Sequence, residues 1–268
     1  MIIDFHTHVF PDRIAPNTIK LLSKNGGIPP FSDGTVNGLV QKMKEAGTDV
    51  SVTLPVMTNP TQFDSINNFA KEINEAFKNE SPRLISFAGI HPDCENIDKK
   101  MAFIRKSGFL GIKLHPDYQG TYIDDKKYVD ILRAAKEYDL VVVTHSGIDA
   151  AYRETVRCTA DRALRLIRKV PHSKLVLAHM GANEMHEEVL EALCGEDVYF
   201  DTAYVLRFIG KDNFEAILKK HGADKILFAS DSPWSNVKDD VNIMKSFGLN
   251  KNTENKILFE NAKALLGI

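Results

Sequence analysis

Ile2-Ile3-Asp4-Phe5-His6-Thr7-His8 opens the chain with a short β-rich run ending in two histidines one residue apart. Successive side chains of a strand face opposite sides, so His6 and His8 project the same way and Thr7 faces away. Neutral imidazole is a common ligand of zinc and similar divalent metals, and a catalytic site needs about three protein ligands plus an open position. Two histidines are an incomplete site, and the missing ligands have to come from elsewhere in the sequence.

Runs of the same kind recur. They lie near 2–8, 50–56, 84–90, 109–115, 140–145, 174–179, 198–201 and 225–231, several apolar enough for burial on both faces. Between them, stretches at 35–46, 64–79, 97–107, 125–138, 159–169, 184–193, 213–221 and 253–266 carry apolar residues at i, i+3 and i+4. This alternation places the chain in the α/β class. Eight βα units in 268 residues predict a closed (β/α)8 barrel, eight parallel strands with an outer ring of helices. An open doubly wound sheet is the competing architecture, but no G-x-G-x-x-G or G-x-x-x-x-G-K-[ST] follows any strand. No linker interrupts the units, so residues 1–268 read as a single domain. Residues 9–34, with Pro11, Pro16, Gly26-Gly27 and Pro29-Pro30, form one unusually long connection, expected to cross the barrel mouth as a lid.

Composition narrows the partners. Lys and Arg number 34 against 36 Asp and Glu, a net charge of −2, which argues against a nucleic-acid or membrane-surface partner and leaves a small-molecule substrate. No apolar run approaches the roughly 18 residues of a membrane span, and no cleavable leader pattern precedes Ile2, so a cytoplasmic location is the expectation. Cys94, Cys158 and Cys194 are far apart, fit neither a disulfide framework nor a C-x-x-C site, and are expected to be reduced and mostly buried. A homodimer is compatible with these features.

In a barrel enzyme the active site forms at the C-terminal ends of the strands. Those ends carry His6 and His8, His91-Pro92, His115-Pro116, His145-Ser146-Gly147, His179-Met180-Gly181 and Ser230-Asp231-Ser232-Pro233-Trp234. Six of the nine histidines fall there, where random placement would put about one. His172, His186 and His221 fall in loops or helices and read as solvated bystanders.

Four motifs, D-F-H-T-H at 4–8, T-H-S-G at 144–147, A-H-M-G at 178–181 and S-D-S-P-W at 230–234, resemble the amidohydrolase superfamily. The closer resemblance is to its branch of amidohydrolase-related, metal-dependent hydrolases, which includes the aminocarboxymuconate-semialdehyde decarboxylase-like enzymes. The tail from Ile257 to Leu266 is similar to the closing helix of that branch. The resemblance implies a divalent metal, Zn2+ first and Mn2+ second, one or two ions, held by His6, His8, His145 and Asp231, with His179 beside the reaction centre. On their own residues, the alternatives to ligation are a buried hydrogen-bonded histidine for His145 and the cap of a turn for Asp231.

Other candidates are less defined. Lys113 shares a face with His115 and stands near where dinuclear members of the superfamily carry a carbamylated bridging lysine; unmodified, it offers a positive charge to a substrate carboxylate, or a salt bridge within the barrel. His115 is a second-metal or substrate candidate, although proline after His91 and His115 also suits a structural exit turn. Arg153 and Arg207, beyond strands five and seven, are candidates to clamp an anionic substrate, and Trp234 to wall the pocket. The expected activity is hydrolysis of an amide, lactone or ester bond of a small anionic molecule by a metal-activated water. Asp231 would carry the proton and His179 would assist the leaving charge. The alternative is a metal-dependent non-oxidative decarboxylase of a small unsaturated or aromatic acid.

Overall fold

A computed structural model describes every residue of the chain except Ser173. Its strands are β1 (Ile3–Thr7), β2 (Val50–Thr53), β3 (Arg83–Ser86), β4 (Ala88–Gly89), β5 (Gly111–Leu114), β6 (Val141–Thr144), β7 (Leu175–Leu177), β8 (Tyr199–Asp201) and β9 (Ile226–Leu227). All pair in parallel, in the orders β1-β2-β3 and β4-β5-β6-β7-β8-β9. β3 and β4 are one strand broken at Phe87, whose N–H still bonds Thr53 O at 2.9 Å. The last strand returns to the first: Phe5 N–H donates to Phe228 O, Asp231 N–H to His6 O and His8 N–H to Ser232 O at 2.7–2.9 Å. Eight strand positions therefore form a continuous ring, the barrel expected from the alternation.

The helices are α1 (Ala15–Gly26), α2 (Val36–Ala46), α3 (Phe63–Ala76), α4 (Ile97–Lys106), α5 (Lys126–Glu137), α6 (Ala160–Lys169), α7 (His186–Ala192), α8 (Leu206–Ile209), α9 (Lys211–His221), α10 (Val237–Ser246), α11 (Lys251–Asn255) and α12 (Asn261–Leu266). Thr35, Asp125, Thr159 and Asn236 cap α2, α5, α6 and α10 by accepting a backbone N–H of the first turn. One apolar cluster, including Ile112, Leu114, Leu175, Phe200 and Phe228 with Ile131, Leu166 and Phe214, glues strands to helices. A second gathers Ile3, Phe5, Phe87, Val143, Val176 and Leu227 from strands all around the ring and fills its inside beneath the histidines.

Four helical stretches differ from the sequence reading. The 9–34 excursion contains α1, which begins with Pro16 in its first turn, and Phe31 N–H ties its far end to Pro233 O. The glycines and prolines that mark this stretch as irregular sit at the ends of α1 and in the connection after it. α8 and α10 also escaped notice, α8 because four residues carry too little period to register. The C-terminal helix is not continuous: a π-helical turn over Lys256–Glu260 separates α11 from α12, and Asn261 Nδ2 donates to Ala223 O and Ile226 O.

Candidate active site

The mouth is built outward from an irregularity in β1. Its pairing with β2 runs Ile3↔Val50, Asp4↔Ser51, then Thr7↔Thr53, so one extra residue is accommodated between Asp4 and Thr7. Ile3 and Phe5 belong to the interior cluster, and beyond this slip His6 and His8 converge at the rim. His6 is buried, and its Nδ1–H donates to Asp201 Oδ2 at 2.8 Å. His8 Nδ1–H donates to Leu54 O at 2.8 Å. A carbonyl or carboxylate oxygen only accepts, so each ring carries its proton on Nδ1 and its neutral form turns a bare Nε2 lone pair to the mouth.

Those two lone pairs stand 3.2 Å apart, and Asp231 Oδ1 lies 3.1 Å from His8 Nε2 and 3.5 Å from His6 Nε2. Three acceptors facing one point are a cation-binding set, and two imidazoles with one carboxylate fit a divalent metal. Asp231 adopts a left-handed φ of 68°, which a non-glycine residue holds only where its surroundings fix it. Burial alone would raise its carboxyl, but the neighbouring imidazoles, first that of His8 at 3.1 Å, hold it down at about 2. Burial, then the Lys113 charge, keeps His6 well below the ordinary histidine range, in the neutral form a metal requires.

Lys113, on β5, is 1% exposed, and its Nζ donates to His6 Nε2 at 2.8 Å. Burial lowers it to about 8 against the pull of Asp201 and Asp231. Asp201 was not singled out in the sequence. Its Oδ1 accepts from His179 N–H and Ala203 N–H while Oδ2 holds His6, so one carboxylate orients two strand ends. An acid closing a strand was the available signal, the same one that marks Asp231.

His145 and His179 lie beside the trio rather than in it. His179, at φ 62°, donates Nδ1–H to Ala203 O at 2.8 Å, and its Nε2 accepts from His145 Nδ1 at 2.9 Å. The His179 ring is 5.6 Å from that of His6 and 4.8 Å from that of His145. His145 stacks on His115 at 4.3 Å and groups with His115 and Asp149. Gly147 locks this loop to the next: at φ 84° it bridges to Asn183, and a Cβ there would meet Asn183 N at 2.0 Å.

The arginines are engaged elsewhere. Arg153 makes a two-pronged pair with Glu184 at 3.0 and 2.6 Å, and both side chains are exposed. Arg207 donates to Trp234 O and lies over the rings of Phe31, Tyr204 and Phe208. His91 accepts from Asp93 N–H at 3.1 Å, a loop contact. The three remaining histidines are outside the mouth, but they are not solvated. His172 is buried against Leu140 O, His221 stacks on Phe200 and reaches Val198 O, and His186 is half-buried. His172 and His221 each cap a backbone carbonyl, a role that loop position alone does not reveal.

The sequence profile of the Amidohydrolase family matches residues 3–268. The chain belongs to this family. No curated protein sequence matches it. Among solved structures, a putative amidohydrolase from Staphylococcus aureus is similar at 18% identity and TM-score 0.74, covering 100% of this chain and 99% of that one. A 5-carboxyvanillate decarboxylase from Novosphingobium aromaticivorans, with bound manganese, is similar at 16% identity and TM-score 0.72 over 100% and 97%. A dihydroxybenzoic acid decarboxylase from Polaromonas, with manganese and 2-nitroresorcinol, is similar at 17% identity and TM-score 0.72 over 99% and 96%. At such identities the likeness establishes the barrel. As in other amidohydrolases, the mouth offers a His/Asp set for a divalent cation. No helix among the described residues is long and apolar enough to cross a membrane.

Proposed function

We propose that this amidohydrolase is a metal-dependent non-oxidative decarboxylase of a small hydroxylated aromatic or unsaturated carboxylic acid. The observation that carries the reading is the buried Lys113 ammonium, 2.8 Å from His6 Nε2. The ammonium occupies the His6 Nε2 lone pair when no cation is there; a cation taking that lone pair would free the ammonium to meet an anionic substrate oxygen. The similarity to two manganese-containing decarboxylases supports this choice over hydrolysis.

A divalent metal held by His6, His8 and Asp231 would supply charge neutralisation and polarisation of the substrate's oxygens. Lys113 orients the anion against that set. Asp231, kept ionised at about 2, takes the proton of the substrate hydroxyl next to the carboxylate and delivers it to the ring carbon bearing that carboxylate. The carbon–carbon bond to the carboxylate then breaks, its electron pair returns to the ring, carbon dioxide leaves and the product phenolate regains a proton from solvent. Both His179 ring nitrogens are engaged in the resting site, so it presents a fixed polar wall and becomes a donor only after taking up a proton. Hydrolysis of a lactone, ester or amide is the second reading, favoured by the same ionised Asp231 acting as a base on water.

The test offers manganese-loaded or zinc-loaded protein a panel of hydroxybenzoates, other unsaturated acids, lactones and amides. Carbon dioxide release with no net ring-opening is expected. Acid release from a lactone or ester, without carbon dioxide from any acid, would replace decarboxylation with hydrolysis.

A further inference from the structure

We propose that Asp149 is a specificity residue at the far side of the mouth, selecting ring acids that carry a hydroxyl or amino group away from the reacting carboxylate and rejecting those with a second carboxylate there. The inference rests on the reading of the mouth as the site of a carboxylic acid, and it narrows that acid to one chemical class. His6, His179, His145 and His115 form an unbroken path of planar rings across the mouth, with successive centroids 5.6, 4.8 and 4.3 Å apart. Tyr118 continues it edge-on to His115 at 4.6 Å, and Tyr152 edge-on to Tyr118 at 5.2 Å. Such a wall offers a flat substrate ring the offset and edge-to-face contacts that aromatic groups prefer. The cation-binding trio lies at one end of this path. Asp149 lies at the other, its carboxylate within 4.8 Å of the ligand-type nitrogens of His115 and His145.

The loop that carries Asp149 is pinned from two sides. Ile148 N–H donates to Asn183 O at 3.0 Å and Asn183 Nδ2 donates to Ile148 O at 2.8 Å. A Cβ built on Gly26, at the end of α1, would meet the Ala150 Cβ at 3.5 Å, so the excursion after β1 closes over this loop. Asp149 Oδ1 accepts from Ala151 N–H at 2.8 Å, which fixes the rotation of the carboxylate. Oδ2 has no hydrogen-bond donor among the described residues: His115 Nε2 stands off at 3.6 Å, beyond hydrogen-bond reach. The side chain is only 14% exposed, so a substrate O–H or N–H would supply the donor that water supplies poorly. Burial raises the carboxyl, the Ala151 N–H and His179 lower it, and Asp231 raises it, which puts the group within the field of the trio. A second anion here meets repulsion from Asp149 and from Asp117, whose Oδ2 is buried without a partner while Arg157 faces Oδ1. Lys113, the buried cation, sits at the opposite end on His6.

The test offers manganese-loaded full-length protein four acids: 2-hydroxybenzoate, 2,4-dihydroxybenzoate, 4-amino-2-hydroxybenzoate and 2-hydroxyterephthalate. Affinity is measured by calorimetry, and carbon dioxide release separately. The wild type should bind the 4-hydroxy and 4-amino acids roughly 10- to 100-fold more tightly than 2-hydroxybenzoate, the range of a hydrogen bond to a charged group, and the terephthalate more weakly than 2-hydroxybenzoate. Asp149→Ala should erase the preference for a donor. Asp149→Asn, which loses the charge and keeps an acceptor oxygen, should admit the terephthalate and retain a reduced donor preference. Equal affinities in the wild type, a preference for the terephthalate, binding of none of the acids, or unchanged ratios in a folded Asp149→Ala protein would overturn the proposal. Selective binding without carbon dioxide release would uphold it and refute decarboxylation, whereas carbon dioxide release with no selectivity at the 4-position would do the reverse. The wild-type ratios decide the matter even if a variant fails to fold.

Discussion

Asp201→Asn isolates the step on which the metal set depends. Asp201 never faces the mouth: it is fully buried, holds His6 Nδ1–H through Oδ2 at 2.8 Å, and accepts two backbone N–H groups through Oδ1. Asparagine keeps an oxygen for the backbone donors and sets an amide NH2 against His6. That amide donates, so His6 Nδ1 becomes the acceptor, the ring proton moves to Nε2, and the lone pair aimed at His8 and Asp231 is lost. Outer partners of this kind are worth roughly 10- to 100-fold in metal affinity, about 1.4–2.8 kcal/mol. The fold should survive, because the strand-end hydrogen bonds remain. Competition with a chelating dye gives the Mn2+ or Zn2+ affinity of the trio, and the metal-free melting curve reports the fold. Unchanged affinity in a folded Asp201→Asn protein would refute the tautomer argument.

Lys113→Met should raise KM for an anionic substrate by roughly 10- to 100-fold, since a charge-assisted hydrogen bond contributes about 1.5–3 kcal/mol; steady-state kinetics checks it. In the wild type the same contact should fade above pH 8, because burial lowers the ammonium to about 8 and the charge is lost as pH rises through that value. His179→Asn should lower kcat by about 10²–10⁴ with the metal content of the trio unchanged, as measured by turnover and elemental analysis. Asp240, buried with Oδ2 unpartnered, is raised from 3.8 to about 7 by burial. A raised carboxyl favours the folded state fully below pH 4 and loses that contribution as pH climbs to 7, so Asp240→Asn should flatten the decline by up to about 4 kcal/mol in denaturant titrations at pH 4 and 8.

The barrel was legible because each strand is a short apolar run and each helix repeats near 3.6 residues, so Val141–Thr144 and α5 announce themselves. The rim was legible for a different reason: His6, His8, Lys113, His145, His179 and Asp231 all end strands, and the barrel carries every strand end to one side. What the sequence withheld was rotation. Whether His145 faces His6 or Asp117 depends on a hydrogen bond to His179, and that bond depends in turn on Ala203 O, 58 positions further on. Asp117, Asp149 and Asp201 stayed hidden because a buried acid and a solvated one look alike in a string of letters. Arg153 and Arg207 looked available as clamps only because Glu184 and Trp234 O, their partners, lie 31 and 27 residues away.

The central claim is that His6 Nε2, His8 Nε2 and the Asp231 carboxylate share one divalent ion. An anomalous difference map from manganese-loaded crystals measures this directly. The account predicts a peak roughly 2.0–2.2 Å from both imidazole nitrogens and from an Asp231 oxygen. A metal-replete crystal with no peak among those three atoms would contradict it.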